Sequence, residues 1–269
     1  MRDDVTSDSE HWREIDMTPN FEGKVALVTG AASGIGRATA MAFAEQGAHV
    51  IVADHNEEHG CSTMRDIREH GNSAIFVYAD MLNPDDIRAM VKKCVEIFGG
   101  LDFAFNNAGI EGEQGTTAES SEENWSRVIG VNLNGVWHCM KQELPHMLAR
   151  GGGVIVNCSS VAGLKGFRGI PAYVASKHAV IGLTKAAALE YATKNIRVNA
   201  VCPGVIQTPM ISRFTQGGPE AEALLVAQEP IGRLGTSGEV AATVLWLCSD
   251  QASFITGHSL VVDGGMMAG

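Results

Sequence analysis

The strongest constraint on the fold is a repeated exchange of pattern. From Phe21 onward, short apolar runs rich in β-branched residues alternate with amphipathic helical stretches. Strands joined through helices demand a parallel sheet, because each helix carries the chain back to the same starting edge. Both faces of such a sheet are then covered. Residues 24–29, 48–53, 73–79, 101–105, 154–158, 196–201 and 259–262 read as seven strands. Helices are predicted from the glycine turn after the first strand to about Gln46, over 57–69, and from Pro84, behind the N-cap Asn83, to Gly99. Ser120 with Glu123 reads as a capping box opening a long helix to about Arg150. A helix through Tyr173 is predicted to reach about Lys194, and Thr236 with Glu239 caps another ending at Cys248. The expectation is one α/β domain over 21–269, a doubly wound sheet of about seven parallel strands. It includes a mixed loop-and-helix stretch at 204–232, and a flexible acidic arm covers 1–20.

Charge and composition exclude several classes. The net charge of −11 argues against a nucleic-acid or anionic-membrane partner. No apolar run reaches the length of a membrane span. The first twenty residues carry six acids against two bases and lack the apolar core of a secretion signal. The six cysteines form no CxxC pair and no metal spacing, so they read as reduced thiols of a cytoplasmic protein. Cys158 and Cys202 lie in apolar strand-like surroundings and read as packing residues. The nine histidines are scattered, and no metal site is expected.

The turn after the first strand, Thr29 to Gly36, contains Gly30, Ser33, Gly34, Ile35 and Gly36. Glycines there let backbone N–H groups approach a pyrophosphate while the helix N-terminus stabilises its charge. A tight strand–helix junction is the plainer reading. Its position on the first strand–helix unit favours dinucleotide binding. Asp54, about twenty residues on, ends the second strand and can hold two ribose hydroxyls while repelling a 2′-phosphate. With His55 and Ser33 as its neighbours, NAD is expected over NADP. Asp54 can also cap the helix near Glu57. Asp80 and Met81 end the third strand, and Asn106, Asn107, Ala108 and Gly109 end the fourth, both at edges where ligands bind. Asp80 can accept from an adenine amino group while Met81 packs on the ring. A turn carboxylate is an equal reading. Asn106 and Asn107 can bind backbone as readily as line a cofactor.

Tyr173 and Lys177 stand four residues apart on one helix face. An ammonium beside a phenol, whose free pKa is about 10, favours the ionised form. With Thr29 to Gly36, Asp80, Asn106 to Gly109, Asn132, Ser159, Ser160, Pro203, Gly204, Thr208 and Asp263 to Gly265, this pair makes the chain resemble the short-chain dehydrogenase/reductase family over about 21–265. The resemblance implies a Rossmann-type dehydrogenase with Tyr173 as acid/base, Lys177 supporting it and holding ribose hydroxyls, and Ser160, thirteen residues before Tyr173, bonding the substrate oxygen. Ser159 is then a structural neighbour, although the two serines can exchange roles. Asn132 would hold a water beside Lys177, with Asn134 a competitor and a helix-interior bond to backbone the alternative. Pro203, Gly204, Ile206 and Thr208 would contact the carboxamide.

Ile110, Leu164, Phe167, Ile170, Met210, Ile211, Phe214, Met266 and Met267 are expected to wall the substrate. That apolar lining suggests a neutral secondary alcohol or ketone, including cyclic ones. A reductase of 3-oxoacyl groups on a carrier protein is the second reading, and a non-catalytic NAD sensor the third. The resemblance also implies a homotetramer, with a dimer second.

Overall fold

A computed structural model describes residues 20–216 and 218–269. The arm expected over 1–20 therefore lies outside the described residues except for Asn20. The strands are β1 (Val25–Thr29), β2 (His49–Asp54), β3 (Ala74–Tyr78), β4 (Phe103–Asn106), β5 (Gly153–Cys158), β6 (Ile196–Pro203) and β7 (Ser259–Val262). They form one seven-stranded sheet, ordered β3-β2-β1-β4-β5-β6-β7, and every pairing is parallel. This is the doubly wound sheet that the alternating pattern predicts.

The helices are α1 (Gly34–Glu45), α2 (Glu57–Glu69), α3 (Pro84–Phe98), α4 (Glu122–Ile129), α5 (Gly135–Arg150), α6 (Pro171–Tyr191), α7 (Pro209–Phe214), α8 (Pro219–Val226) and α9 (Ser237–Cys248). Side chains alternate across a strand, so a doubly covered strand sends every residue into a core. In β1, Ala26 and Val28 join a core with Phe43 of α1 and Val240, Val244 and Leu247 of α9. Val25 and Leu27 face the other side and meet Met90 of α3, Met140 of α5 and Val180 of α6. Phe21, Phe43 and Phe103 pack ring to ring at 4.7–5.7 Å, fastening the domain's first described segment to α1 and β4. All six cysteines are unpaired, and Cys158 and Cys202 are buried.

The long helix expected over 121–150 is interrupted. Its N-cap is Ser121, whose hydroxyl accepts the Asn124 N–H at 3.1 Å, while Ser120 Oγ takes the Asn124 side-chain amide at 3.4 Å. Between α4 and α5 the chain forms a wider π-helical segment, Gly130–Asn134. Such a segment re-aims side chains at the cost of poorer helical packing. Here it turns Asn132 onto Ile110, with Ile110 N donating to Oδ1 at 2.8 Å and Nδ2 donating to Ile110 O at 2.9 Å. The helix through Tyr173 ends at Tyr191, and a single 3₁₀ turn, Ala192–Lys194, completes the expected length.

A buried polar cluster lies under the end of β4. Asn106 Nδ2 donates to Glu143 Oε2 and to Asn157 Oδ1, both at 3.1 Å. Glu143 is wholly buried, and burial lifts its pKa from 4.5 to about 8 against the opposing Asn106 hydrogen bond. The folded protein thus holds this proton more tightly than the unfolded chain. The stabilisation is complete below about pH 4.5 and is lost as pH rises to about 8. Glu143→Gln, which cannot ionise, is expected to flatten the decline in the unfolding free energy from urea titration between pH 5 and 8.5, by on the order of 4 kcal/mol at the alkaline end. An unchanged slope would show that Glu143 does not carry this proton.

Candidate active site

β1 lies between β2 and β4, where the sheet's winding reverses, so the loops after β1 and β4 part and leave a crevice at their C-terminal ends. Thr29 joins the two lips. Its hydroxyl accepts the N–H groups of Asn107 at 3.0 Å and Ala108 at 3.1 Å, and Asn107 Nδ2 returns a bond to Thr29 O at 3.0 Å. Gly30 and Gly34 have φ of +65° and +53°, conformations that L side chains rarely adopt. Gly36 is needed for a different reason, since a Cβ there would collide with Gly30 O and the Asn107 amide. Ser33, the extended N-cap of α1, makes no capping bond, so its hydroxyl stays open to a ligand. Asp54 is buried at the far lip. Its Oδ2 accepts Ala32 N at 3.0 Å, and its Oδ1 accepts Asn56 N at 2.9 Å. Asn56, and not Asp54, caps α2.

Across the crevice, Pro171 starts α6 and sets Tyr173 in its first turn. Lys177 Nζ lies 5.5 Å from the Tyr173 ring centre and donates to Cys158 O at 2.8 Å. Two ammonium hydrogens remain for other acceptors. Ser160, extended at the end of β5, accepts Ala162 N at 3.1 Å, which leaves its own proton free to donate outward. Ser159 turns the other way and donates to Lys177 O at 2.9 Å. The two serines, left interchangeable by sequence, are thus given different work.

These groups line one cleft of about 1280 Å³. It gathers Gly30, Ser33, Gly34, Ile35, Asp54, Asp80, Met81, Ala108, Gly109, Ser160, Tyr173, Lys177, Pro203, Gly204, Ile206 and Thr208. Three expected site residues stand off it. Gly36 packs behind the turn. Asn132 lies behind Gly109 and Ile110, its amide bonded to the Ile110 backbone and to Ser176 Oγ. Asn106 points into the core toward Glu143 and Asn157, so it serves the sheet and not the cleft. Of the expected substrate wall, Ile110, Phe167, Ile170, Met210, Ile211, Phe214 and Met266 line the cleft, whereas Leu164 and Met267 do not.

The cleft also carries charges that the sequence did not disclose. Arg37 lines the cleft but is bound to Asp66 at 2.7 Å. At the mouth, Arg213 of α7 grips Glu111 with two bonds, 2.9 and 3.3 Å long. This pair ties the loop after β4 to the helical stretch after β6, across 102 residues of chain. No local pattern announces a pair so separated. Glu229, after α8, accepts Val205 N at 2.7 Å and holds the loop after β6 from beneath.

A parallel sheet with a glycine cradle at its winding reversal, faced by a tyrosine–lysine–serine group, defines a dinucleotide-dependent oxidoreductase. A family profile described as Enoyl-(Acyl carrier protein) reductase matches residues 30–267. A cyclohexanol dehydrogenase of Acinetobacter sp. (strain SE19) is 52% identical over 92% of this chain and 96% of that protein. The crystal structure of a levodione reductase superposes with a TM-score of 0.91 at 35% identity, covering 93% and 99% of the two chains. A structure described as a putative NAD(P)-dependent gluconate 5-dehydrogenase from Beutenbergia cavernae, with NADP bound at low occupancy, has a TM-score of 0.88 at 36% identity, over 93% and 99%. The chain belongs to the short-chain dehydrogenase/reductase family, oxidoreductases that use a nicotinamide cofactor.

Because no side chain fits at Gly36, Gly36→Ala is expected to weaken nicotinamide-cofactor binding at least about tenfold. The Gly30 carbonyl must move and take the cradle with it. Titration of protein fluorescence with cofactor measures this, and an unchanged affinity would refute it.

Proposed function

We propose that this enzyme transfers hydride between NAD(H) and a neutral cyclic secondary alcohol or its ketone. The observation that carries this reading is the meeting of Tyr173, Ser160 and Lys177 with the glycine cradle and Asp54 in one cleft. The identity of 52% to a cyclohexanol dehydrogenase supports the substrate class, as does the apolar wall formed by Phe167, Ile170, Met210, Ile211 and Phe214.

The cofactor's fit rests on the cradle, on the open amides at the α1 N-terminus and on buried Asp54. When bound, the nicotinamide supplies the hydride acceptor or donor. The α1 N-terminus and Gly34 receive the pyrophosphate. Lys177 uses its free hydrogens to hold ribose hydroxyls and to keep positive charge beside Tyr173. Tyr173 Oη takes the alcohol proton in oxidation and returns it in reduction. Ser160 donates its hydroxyl hydrogen to the substrate oxygen and fixes its orientation. Both Nδ2 hydrogens of Asn132 are engaged, so a water held beside Lys177 would donate to its Oδ1, which keeps a second lone pair, or to its main-chain carbonyl. Pro203, Gly204, Ile206 and Thr208 would bracket the carboxamide, and Asp80 with Met81 would serve the adenine.

Asp54 favours NAD, since a 2′-phosphate would approach a buried carboxylate. Arg37 is the nearby cation that could offset this, and Asp66 already engages it. A cytoplasmic homotetramer is the assembly we propose. Trp125, Trp137 and Leu189 of α4, α5 and α6 remain 44%, 43% and 85% exposed, apolar surface suited to subunit contact.

Oxidation of cyclohexanol, followed at the nicotinamide absorbance, is expected to run with NAD at a kcat/KM at least about tenfold above that with NADP. Tyr173→Phe should lower kcat by about 100-fold or more while cofactor binding persists. An equal or greater rate with NADP would overturn the Asp54 reading. Turnover of 3-oxoacyl carrier-protein thioesters, without turnover of cyclic alcohols, would move the substrate to the carrier-bound class.

A further inference from the structure

We propose that Ser176 is a positioning residue for the hydride-transfer reaction, an inference that rests on the function proposed above. Ser176 lies three residues after Tyr173 and one before Lys177, is wholly buried, and does not line the cleft. It cannot touch substrate. Its hydroxyl nevertheless joins two of the groups around the proposed chemistry. Ser176 Oγ donates to Tyr173 O at 2.7 Å, and Asn132 Nδ2 donates to Ser176 Oγ at 3.2 Å.

The hydrogen-bond count leaves one arrangement. Ile110 N–H must donate to Asn132 Oδ1, which fixes which end of the amide is oxygen. The two hydrogens on Nδ2 then go to Ile110 O and to Ser176 Oγ. Because Ser176 accepts from Asn132, its own proton goes to Tyr173 O. Every donor in this buried chain has an acceptor, and through the bond from Asn132 the Ser176 hydroxyl links α6 to the π-helical segment.

Gly109 shows what the chain controls. A Cβ placed there would lie 3.3 Å from Asn132 Oδ1 and 3.4 Å from Lys177 Nζ. Asn132 and Lys177 therefore flank the same piece of backbone, which also lines the cleft. Ser176 holds the Asn132 amide, the amide holds Ile110 at both its N–H and its C=O, and the Gly109–Ile110 backbone sets the space beside the Lys177 ammonium. Serine bonds to a preceding helical carbonyl are common and contribute little alone. The bond from Asn132 ties a second element to that turn. Without the hydroxyl, Asn132 keeps a buried N–H with no acceptor, and Ile110 alone holds the amide.

The test uses the whole protein with cyclohexanol and NAD, and compares Ser176→Ala, Ser176→Thr, Asn132→Ala and the Ser176→Ala/Asn132→Ala pair. Ser176→Ala is expected to lower kcat about tenfold with KM for NAD within about twofold. Ser176→Thr keeps a hydroxyl able to reach a preceding carbonyl and should recover most of the loss. The double variant should match Asn132→Ala within about twofold, since both changes cut one chain. A Ser176→Ala kcat within about twofold of wild type overturns the proposal. So does equal loss in the alanine and threonine variants, which would mark a packing role or unfolding, and so does multiplication of the two single effects in the double variant. Tyr173→Phe run alongside separates the two levels. If it keeps full activity, the proposed function fails. If it is inactive while Ser176→Ala is normal, only the role of Ser176 fails.

Discussion

The hydroxyl of Thr29 holds together the place where this sheet changes direction. β1 and β4 are neighbours, but the chain leaves them toward opposite halves of the molecule, and their loops must diverge. Two N–H groups from the β4 loop converge on that one oxygen, and the Asn107 amide ties back to the β1 carbonyl. The divergence is thereby given a fixed width. The glycine cradle, the adenine lip and the facing turn of α6 all take their separations from it. A crevice between strands is usual in open α/β sheets. In this chain its two lips are bonded to each other at Thr29 and Asn107.

Much of this could be read in the sequence because the signals are local. Alternating apolar runs determine the sheet, glycine spacing marks the cradle, and Tyr173 with Lys177 share a helix face by simple periodicity. What escaped is what depends on contact between distant segments. Nothing near Asn106 announces Glu143, which meets it 37 residues on, so a motif asparagine was expected in the cleft and belongs to the core. The π-helical turn at Gly130–Asn134 leaves no mark on hydrophobic period, since it displaces only the register of hydrogen bonds. The cap at Ser121 differs from the expected Ser120 by one residue because two adjacent serines offer the same chemistry, and only packing of Asn124 selects between them.

The charged mouth follows the same logic. An apolar list of side chains suggested a lining with few charges, yet Glu111 and Arg213 meet over it. Their pairing neutralises two of the charges at the opening, while Arg168 also lines the cleft. Both are partly exposed, so the bond is screened and modest. Glu229 differs in kind, being buried and fixed to Val205. One carboxylate fastens the loop after β6, and the other ties the loop after β4 to α7 more loosely.

The bond from Lys177 to the carbonyl of Cys158 has a consequence for how variation in this chain should be interpreted. Cys158 is the last residue of a central strand, and its carbonyl lies where no neighbouring strand can serve it. The lysine occupies that vacancy in the ladder, so it belongs to the architecture as much as to the chemistry. Loss of this side chain would remove a charge from the cleft and also strand a main-chain acceptor in the interior. Natural sequences would therefore be under two independent pressures at this one position. A descendant that abandoned the reaction altogether would still have reason to keep a lysine there, so the residue alone is a poor witness to activity.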